Sequence, residues 1–360
     1  MSKNTKLSKN SKFSKSLPAG RQVYVAMSGG VDSSVAAALL KKEGCRVVGV
    51  YFKPWSPSGE TYCNWQQDRQ DAMRVAAKLG IPFKTWDFSK EYGKHVAQYM
   101  IEGYRNGITP NPDVMCNKEI KFGLFLRKAL GEGADCIATG HYARVRENPK
   151  SKFQMLKAKD KNKDQTYFLW TLTQEQLKHC LFPIGEYTKP EVRKLAKKFG
   201  LPNHAKKDSQ GVCFVGELDM HDFLKEYIKP EKGNIIFDGK IIGEHDGSAY
   251  YTIGQRHGLD IKIGGGPYYV ARKENNVLFV QKSKIESQTA TISVLHWIRE
   301  PKDKNNLEIK IRYRADSISA TLKNNTLFFA KPASAITPGQ SAVIYRGQEV
   351  LGGGIFRSSP

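Results

Sequence analysis

Ala26-Met27-Ser28-Gly29-Gly30-Val31-Asp32-Ser33-Ser34 sets two adjacent glycines among three serines and an aspartate. Glycines let a backbone approach a ligand closely, hydroxyls donate to anions, and a following helix would aim its free N–H groups at the same point. A phosphate suits such a loop. The G-x-x-x-x-G-K-[ST] spacing of the common ATPase loop is absent, and so is its lysine. A second kind of chemistry lies further along. In Asn111-Pro112-Asp113-Val114-Met115-Cys116-Asn117 a thiol stands three residues after a carboxylate, just before a helix expected to begin near Lys118. A helix N-terminus and a nearby lysine both favour thiolate, which makes Cys116 a credible nucleophile. Cys213 sits in Asp208-Ser209-Gln210-Gly211-Val212-Cys213-Phe214-Val215-Gly216, where the flanking glycines suit a mobile loop. Cys45, Cys136 and Cys180 read as small buried hydrophobes, and Cys63 stays undecided. With no C-x-x-C pair among six scattered cysteines, reduced thiols are expected.

These residues need elements to hold them. Val23-Tyr24-Val25 reads as a strand before the loop and Val35 to Leu40 as a helix after it, so the loop lies at a strand-to-helix turn. Val47 to Phe52 and Ile81 to Phe88 are extended and apolar, Asp68 to Leu79 and Ile120 to Leu130 have helical spacing, and Cys136 to Ala138 reads as a buried strand. That alternation predicts a parallel sheet wrapped by helices, with its ligand crevice at the carboxyl ends of the strands. Beyond residue 215 the style changes to short extended runs, in Gly233 to Tyr251 and Pro267 to Val280. Residues 288 to 357 alternate strand and turn, as in Ile309 to Arg314 and Ser341 to Tyr345, which suggests a small antiparallel barrel. Four parts are expected: a basic tail at 1–20 too polar to pack, a nucleotide-binding catalytic domain at 21–215, a β-rich domain at 216–280, and a barrel at 281–360.

The 57 Lys and Arg against 35 Asp and Glu give a net charge of +22, which favours a polyanion through counterion release. Nucleic acid leads, with solvated lysine-rich faces as the bland alternative. No stretch is long and apolar enough for a membrane span or a signal peptide, so a cytoplasmic protein is expected. A transit peptide at 1–20, sending the chain to mitochondria, is the rival reading. Its preference for lysine over arginine counts against that.

The loop resembles the pyrophosphate loop of enzymes that cleave ATP between its α and β phosphates. Taken with later motifs, the chain from Val23 to its C-terminus resembles the tRNA-specific 2-thiouridylase family. The motifs are S-G-G-V-D-S-S (28–34), T-P-N-P-D-V-M-C-N-K-E-I-K-F (109–122), A-T-G-H-Y-A-R (138–144), K-D-Q-T-Y-F-L (163–169), D-S-Q-G-V-C-F-V-G (208–216), Y-T-I-G-Q-R-H-G-L (251–259), R-Y-R (312–314) and the closing P-G-Q-S-A-V-I-Y…L-G-G-G. The resemblance implies an α/β fold: a Rossmann-like N-terminal domain of the adenine nucleotide alpha hydrolase type, a small mostly-β domain and a C-terminal antiparallel β-barrel. It implies that Ala26, Met27, Ser28, Gly29, Gly30, Val31, Asp32 and Ser33 hold ATP phosphates, with backbone contacts from Phe52 and Gly140. Phe52 stands where the family has methionine, a change that a backbone contact tolerates. Asn111, Pro112 and Asp113 would meet the target base, while Lys163, Asp164, Gln165, Arg312 and Tyr313 would touch tRNA.

The reaction implied is adenylation of the uridine 2-oxygen, followed by sulfur transfer from a persulfide on Cys213. Either that persulfide attacks the activated carbon, or Cys116 attacks its outer sulfur and frees hydrosulfide. Both routes end in a Cys116–Cys213 disulfide that a reductant must reset. Asp113 would act as general acid or base, and Mg2+ would offset phosphate charge, with no metal site built from protein ligands. The implied partners are tRNA acceptors for lysine, glutamate and glutamine, and a cysteine desulfurase or sulfur-relay protein as donor, with the chain a monomer. Three other readings stay open. A guanylate- or argininosuccinate-type synthetase would adenylate a carbonyl but needs no cysteine pair. A non-enzymatic RNA-binding protein leaves the S-G-G-V-D-S loop without purpose. Asp113, Cys116 and Cys213 could alternatively ligate an iron–sulfur cluster.

Overall fold

A computed structural model describes residues 20–56, 65–148, 152–207 and 220–357. The tail expected at 1–20 lies almost wholly outside the described residues, and Cys63 and Cys213 lie outside them too.

The first domain is built on five parallel strands: β1 (Gln22–Ala26), β2 (Arg46–Lys53), β3 (Phe83–Asp87), β4 (Cys136–Ala138) and, beyond a hairpin described below, the short Cys180–Leu181. Their order is β3-β2-β1-β4 with Cys180–Leu181 at the edge. Both faces are covered, so β1 buries alternate residues in two different cores. Val23 and Val25 pack with helix α1 (Val31–Lys42) through Val35 and Leu39, while Tyr24 packs with Val48, Val50 and Trp86 on the opposite face. The strand order reverses between β1 and β4. A crevice therefore opens at their carboxyl ends, where the phosphate-type loop and the segment Thr139-Gly140-His141 emerge.

One helix starts earlier than expected. It begins at Pro112, not near Lys118, because Asn111 caps it: the Asn111 Oδ1 accepts from the Val114 N–H at 3.2 Å, and Pro112 supplies a ready-made first-turn φ. The helix runs Pro112–Met115, widens into a π-helical stretch over Cys116–Leu124 and continues through Phe125–Gly131.

The first domain also contributes a hairpin that nothing in the sequence announced. Strands β5 (Arg144–Asn148) and β6 (Lys152–Leu156) pair with each other, and β6 then pairs with a strand of the C-terminal domain, Leu156 opposite Glu349 and Met155 opposite Val350. With Cys180–Leu181 counted as β7, the central domain has β8 (Gly233–Phe237), β9 (Lys240–His245), β10 (Tyr269–Glu274) and β11 (Val277–Gln281) in the order β10-β11-β8-β9. The C-terminal domain has β12 (Glu286–Trp297), β13 (Leu307–Lys310), β14 (Ile318–Lys323), β15 (Thr326–Ser334), β16 (Ser341–Arg346) and β17 (Glu349–Phe356). Pairing of β12 with both β15 and β17 closes these antiparallel strands into a barrel around Leu307, Ile309, Leu327 and Ile344. The strand expected at Ile309 to Arg314 stops at Lys310. Residues 311–314 turn instead, with Arg314 in the left-handed region at φ 64°. Among the described residues no helix is long and apolar enough to cross a membrane.

Candidate active site

Loop 27–30 is held by its own hydroxyls. The Ser28 N–H donates to Ser33 Oγ at 3.2 Å, the Gly30 N–H to Ser28 Oγ at 3.4 Å, and Ser34 Oγ donates to the Gly30 carbonyl at 2.8 Å. No side chain caps α1 at Gly30, so its first-turn N–H groups point outward at the carboxyl end of β1. Gly29 has φ +77°, and a Cβ there would stand 2.3 Å from the Asp68 carbonyl oxygen. Gly140 lies against the loop from the β4 side, where a Cβ would meet the Ser33 nitrogen at 2.6 Å. Two glycines at close approach, exposed Ser28 and unpaired helix N–H groups form a cradle that fits phosphate.

Behind the cradle stand residues that the sequence alone did not single out. Asn203 Nδ2 donates to the Gly29 carbonyl at 2.8 Å and to Ser34 Oγ at 3.0 Å. Lys206 bridges Asp68 and Asp71 at 2.6 Å each, which fixes the segment that Gly29 abuts. The Asp32 carboxylate accepts from Tyr142 OH at 3.0 Å and from Lys189 Nζ at 2.8 and 2.9 Å. Phe52 reaches the crevice end of β2, its ring against Phe125 at 4.8 Å and Phe88 at 5.5 Å.

Cys116 is 4% exposed and lies within the helix that Asn111 starts. Its local setting is therefore apolar and enclosed, unlike the polar loop expected, and it stands about a turn inside the helix, where the field of the helix end has decayed. Its neighbours set the electrostatics. Burial pushes the Asp113 carboxyl above its ordinary 3.8, with the Lys121 ammonium pulling the other way. The same Lys121 charge acts with burial to hold His141 well below its ordinary value, so His141 is neutral, and its Nδ1 lies 2.8 Å from Thr139 Oγ1. Phe122, in the same helix as Cys116, packs its ring 5.8 Å from that of His141, which places the cysteine-bearing helix beside the segment that closes the phosphate cradle.

Three domains meet around this helix. Thr109 N–H donates to the Pro338 carbonyl at 2.9 Å, Thr109 Oγ1 lies 3.1 Å from Thr252 Oγ1, and Gln340 Nε2 donates to the Thr109 and Pro110 carbonyls at 2.9 and 3.2 Å. Arg312, exposed, donates to the Ala335 carbonyl and Thr337 Oγ1. Tyr313 does not stand free between two arginines. Its ring packs on Phe168 at 4.6 Å, while Arg314 lies over it at 5.2 Å. Asn117 Nδ2 donates to the Phe168 carbonyl at 3.3 Å, so Tyr313, Phe168 and the Cys116 helix form one wall. Lys163 is half-buried nearby. Asp164 is buried, its carboxylate taken up by the Ala158 N–H and Thr166 Oγ1, and Gln165 Oε1 accepts from the Tyr142 N–H at 2.9 Å. Asp164 and Gln165 therefore shape the loop from inside. Cys45, Cys136 and Cys180 are buried as expected.

The domains match three family models, described as a tRNA methyl transferase HUP domain over residues 21–217, a tRNA methyl transferase PRC-barrel domain over 221–282 and an aminomethyltransferase beta-barrel domain over 287–356. Curated relatives span nearly the whole chain. A protein of Geobacillus kaustophilus (strain HTA426) named tRNA-specific 2-thiouridylase MnmA 2 is 45% identical, covering 95% of this chain and 97% of its own. Proteins named tRNA-specific 2-thiouridylase MnmA from Bacillus subtilis (strain 168) and Shewanella sp. (strain MR-4) are 44% and 46% identical, each over 94% of this chain and 95% and 96% of their own.

Proposed function

The chain belongs to the tRNA-specific 2-thiouridylase family, and from that premise we propose which of its residues carry the reaction. It is a sulfurtransferase that thiolates uridine in tRNA, and it uses ATP. The observation that carries the assignment of residues is the meeting of a phosphate cradle at β1 with the helix bearing Asp113 and Cys116, whose Phe122 packs on His141 at 5.8 Å, one residue after the Gly140 that closes the cradle. A methyl transfer, as the family descriptions are worded, needs neither a phosphate cradle nor a buried thiol next to a carboxyl.

The α1 N-terminus, Ser28 and the Gly29–Gly30 backbone hold the phosphates, with Gly140 and the Phe52 backbone flanking the nucleotide. Mg2+ would offset phosphate charge there. The uridine 2-oxygen attacks the α-phosphorus and pyrophosphate departs, which converts a poor leaving group into AMP. The base reaches Asn111, Pro112 and Asp113 only after leaving its stack, and an enclosed site of this kind favours the unstacked base. Asp113, kept protonated to higher pH by burial, is suited to deliver or take the proton on the base. Sulfur arrives as a persulfide on Cys213 from a donor protein. Its outer sulfur, transferred directly or freed by Cys116, replaces AMP at the 2-carbon, and the two cysteines finish as a disulfide that takes two electrons from an external reductant. Lys163, Arg312 and the wall at Tyr313 supply contacts to tRNA acceptors for lysine, glutamate and glutamine, with the protein acting as a monomer.

Mass spectrometry of tRNA nucleosides after incubation with ATP, Mg2+ and a persulfide donor tests the reading. A wobble uridine heavier by one sulfur-for-oxygen exchange is expected. Methylated uridine, or unchanged tRNA, overturns it.

A further inference from the structure

We infer that Tyr142 and Lys189 are positioning residues that tie the phosphate cradle to the RNA-contacting loop, so that tRNA and ATP bind cooperatively. Two chains of contacts leave one loop, residues 160–165, and end on one carboxylate. Along the first, Gln165 clamps Tyr142 by its backbone: Gln165 Oε1 accepts from the Tyr142 N–H at 2.9 Å, and the Gln165 N–H donates to the Tyr142 carbonyl at 2.9 Å. The Tyr142 hydroxyl then reaches Asp32 at 3.0 Å. Along the second, Asp160 Oδ2 accepts from the Lys189 N–H at 2.8 Å while Asp160 Oδ1 accepts from the Asn162 and Lys163 N–H groups at 3.0 and 3.2 Å. Lys189 Nζ then holds both Asp32 oxygens, its side chain only 12% exposed.

Asp32 lies in the first turn of α1, beside the N–H groups that would receive phosphate. An unpaired carboxylate there would repel ATP, and a wandering one would let the cradle wander too. Lys189 removes the charge and Tyr142 fixes the direction. Both donors are anchored to residues 160–165, through Gln165 on Tyr142 and the Asp160 carboxylate on Lys189, and Lys163 belongs to that loop. Ordering the loop against RNA therefore orders Asp32, and by linkage ATP must tighten RNA binding to the same degree. The inference rests on the proposed contact of Lys163 with tRNA.

The test measures affinity for α,β-methylene-ATP with and without unmodified tRNA transcript, in wild type, Tyr142→Phe, Lys189→Met, Lys189→Arg and Gln165→Ala. Wild type should bind the analogue about fivefold or more tighter when tRNA is present. Tyr142→Phe and Gln165→Ala should bring that ratio close to one while each ligand alone still binds. Lys189→Met should weaken the analogue about tenfold even without tRNA, and Lys189→Arg should restore most of it, which a loss of folding would not allow. A wild type that thiolates tRNA yet shows no ratio, or variants that keep it, overturns the inference and leaves the function standing. A wild type that does not thiolate overturns both.

Discussion

The phosphate end of the crevice and the cysteine end are built by different means. At the phosphate end, eight consecutive residues do most of the work: a strand stops, two glycines turn, and the serines bond to their own loop within a span of six positions. At the cysteine end, Cys116 depends on contacts spread through the chain, with Gln340 reaching Thr109 across 231 positions and Thr252 reaching it across 143. The cradle takes its shape from its own loop and is braced from a distance by Asn203 on Gly29 and by Lys189 and Tyr142 on Asp32. The proposed base and sulfur site lies where three domains meet, and the Cys116 thiol there is buried.

Exchanging the sulfur groups is expected to separate the two ends most sharply. Cys116→Ser or Cys213→Ser should lower thiolation by more than about 10³-fold, because the nucleophile itself is gone, while binding of α,β-methylene-ATP stays at the wild-type level. Nucleoside mass spectrometry and equilibrium binding on the same preparations read both. Equal loss of nucleotide binding would mean that the ends are not separable. Asp113→Asn should follow, with a loss of about 10²- to 10⁴-fold. Since burial raises the Asp113 carboxyl above 3.8, the wild-type rate should change with pH above the range of an ordinary carboxylate, and the variant should lose that limb. The sign for stability is opposite. An acid whose folded value is raised makes the native state bind more protons in that window, so its contribution to stability falls as pH rises through it. Asp113→Asn should therefore melt higher than wild type at neutral pH.

Gly29→Ala tests the local end. The new Cβ would need a φ that L side chains rarely adopt and would stand 2.3 Å from the Asp68 carbonyl. ATP affinity should fall about tenfold or more, with tRNA affinity unchanged. A parallel loss of tRNA affinity measured without ATP would show that the substitution disturbs more than the cradle.

How much was legible follows the same division. The loop 26–34, its strand-to-helix setting and the lack of a C-x-x-C pair among the cysteines could be read because each signal sits within a few residues. The hairpin β5–β6 could not be assigned to the C-terminal barrel, since its pairing with Glu349 and Val350 depends on a register nearly 200 residues away. Tyr142 stood in a quoted motif without a role, and nothing around Lys189 in sequence pointed to Asp32, 157 positions earlier. Arg312 and Tyr313 were placed on a strand by alternation alone. The chain turns there instead, with Arg314 at φ 64° and the Tyr313 ring packed on Phe168 at 4.6 Å, a partner 145 positions earlier that alternation does not show. Asn111-Pro112 did carry a local signal. Read as a cap followed by a first-turn proline, it would have started the helix in the right place.

That cap gives the smallest effect and the finest distinction. Asn111 starts the helix that bears Cys116 and is also proposed to meet the base, so a simple loss of activity in Asn111→Ala would not say which role matters. Removing the cap should cost about 1 kcal/mol of stability and loosen the turn that carries Asp113 and Cys116. Asn111→Asp and Asn111→Ser both restore a cap acceptor, yet neither offers the amide N–H that a carbonyl of the base could use. If capping is the whole of its role, both should recover melting temperature and kcat/KM together. If Asn111 also meets the base, both should recover the melting temperature while kcat/KM stays about tenfold low, a size that matches one lost hydrogen bond in an enclosed site. Recovery of both quantities would remove Asn111 from the base-binding set and leave the cysteine end resting on Asp113 and the two thiols.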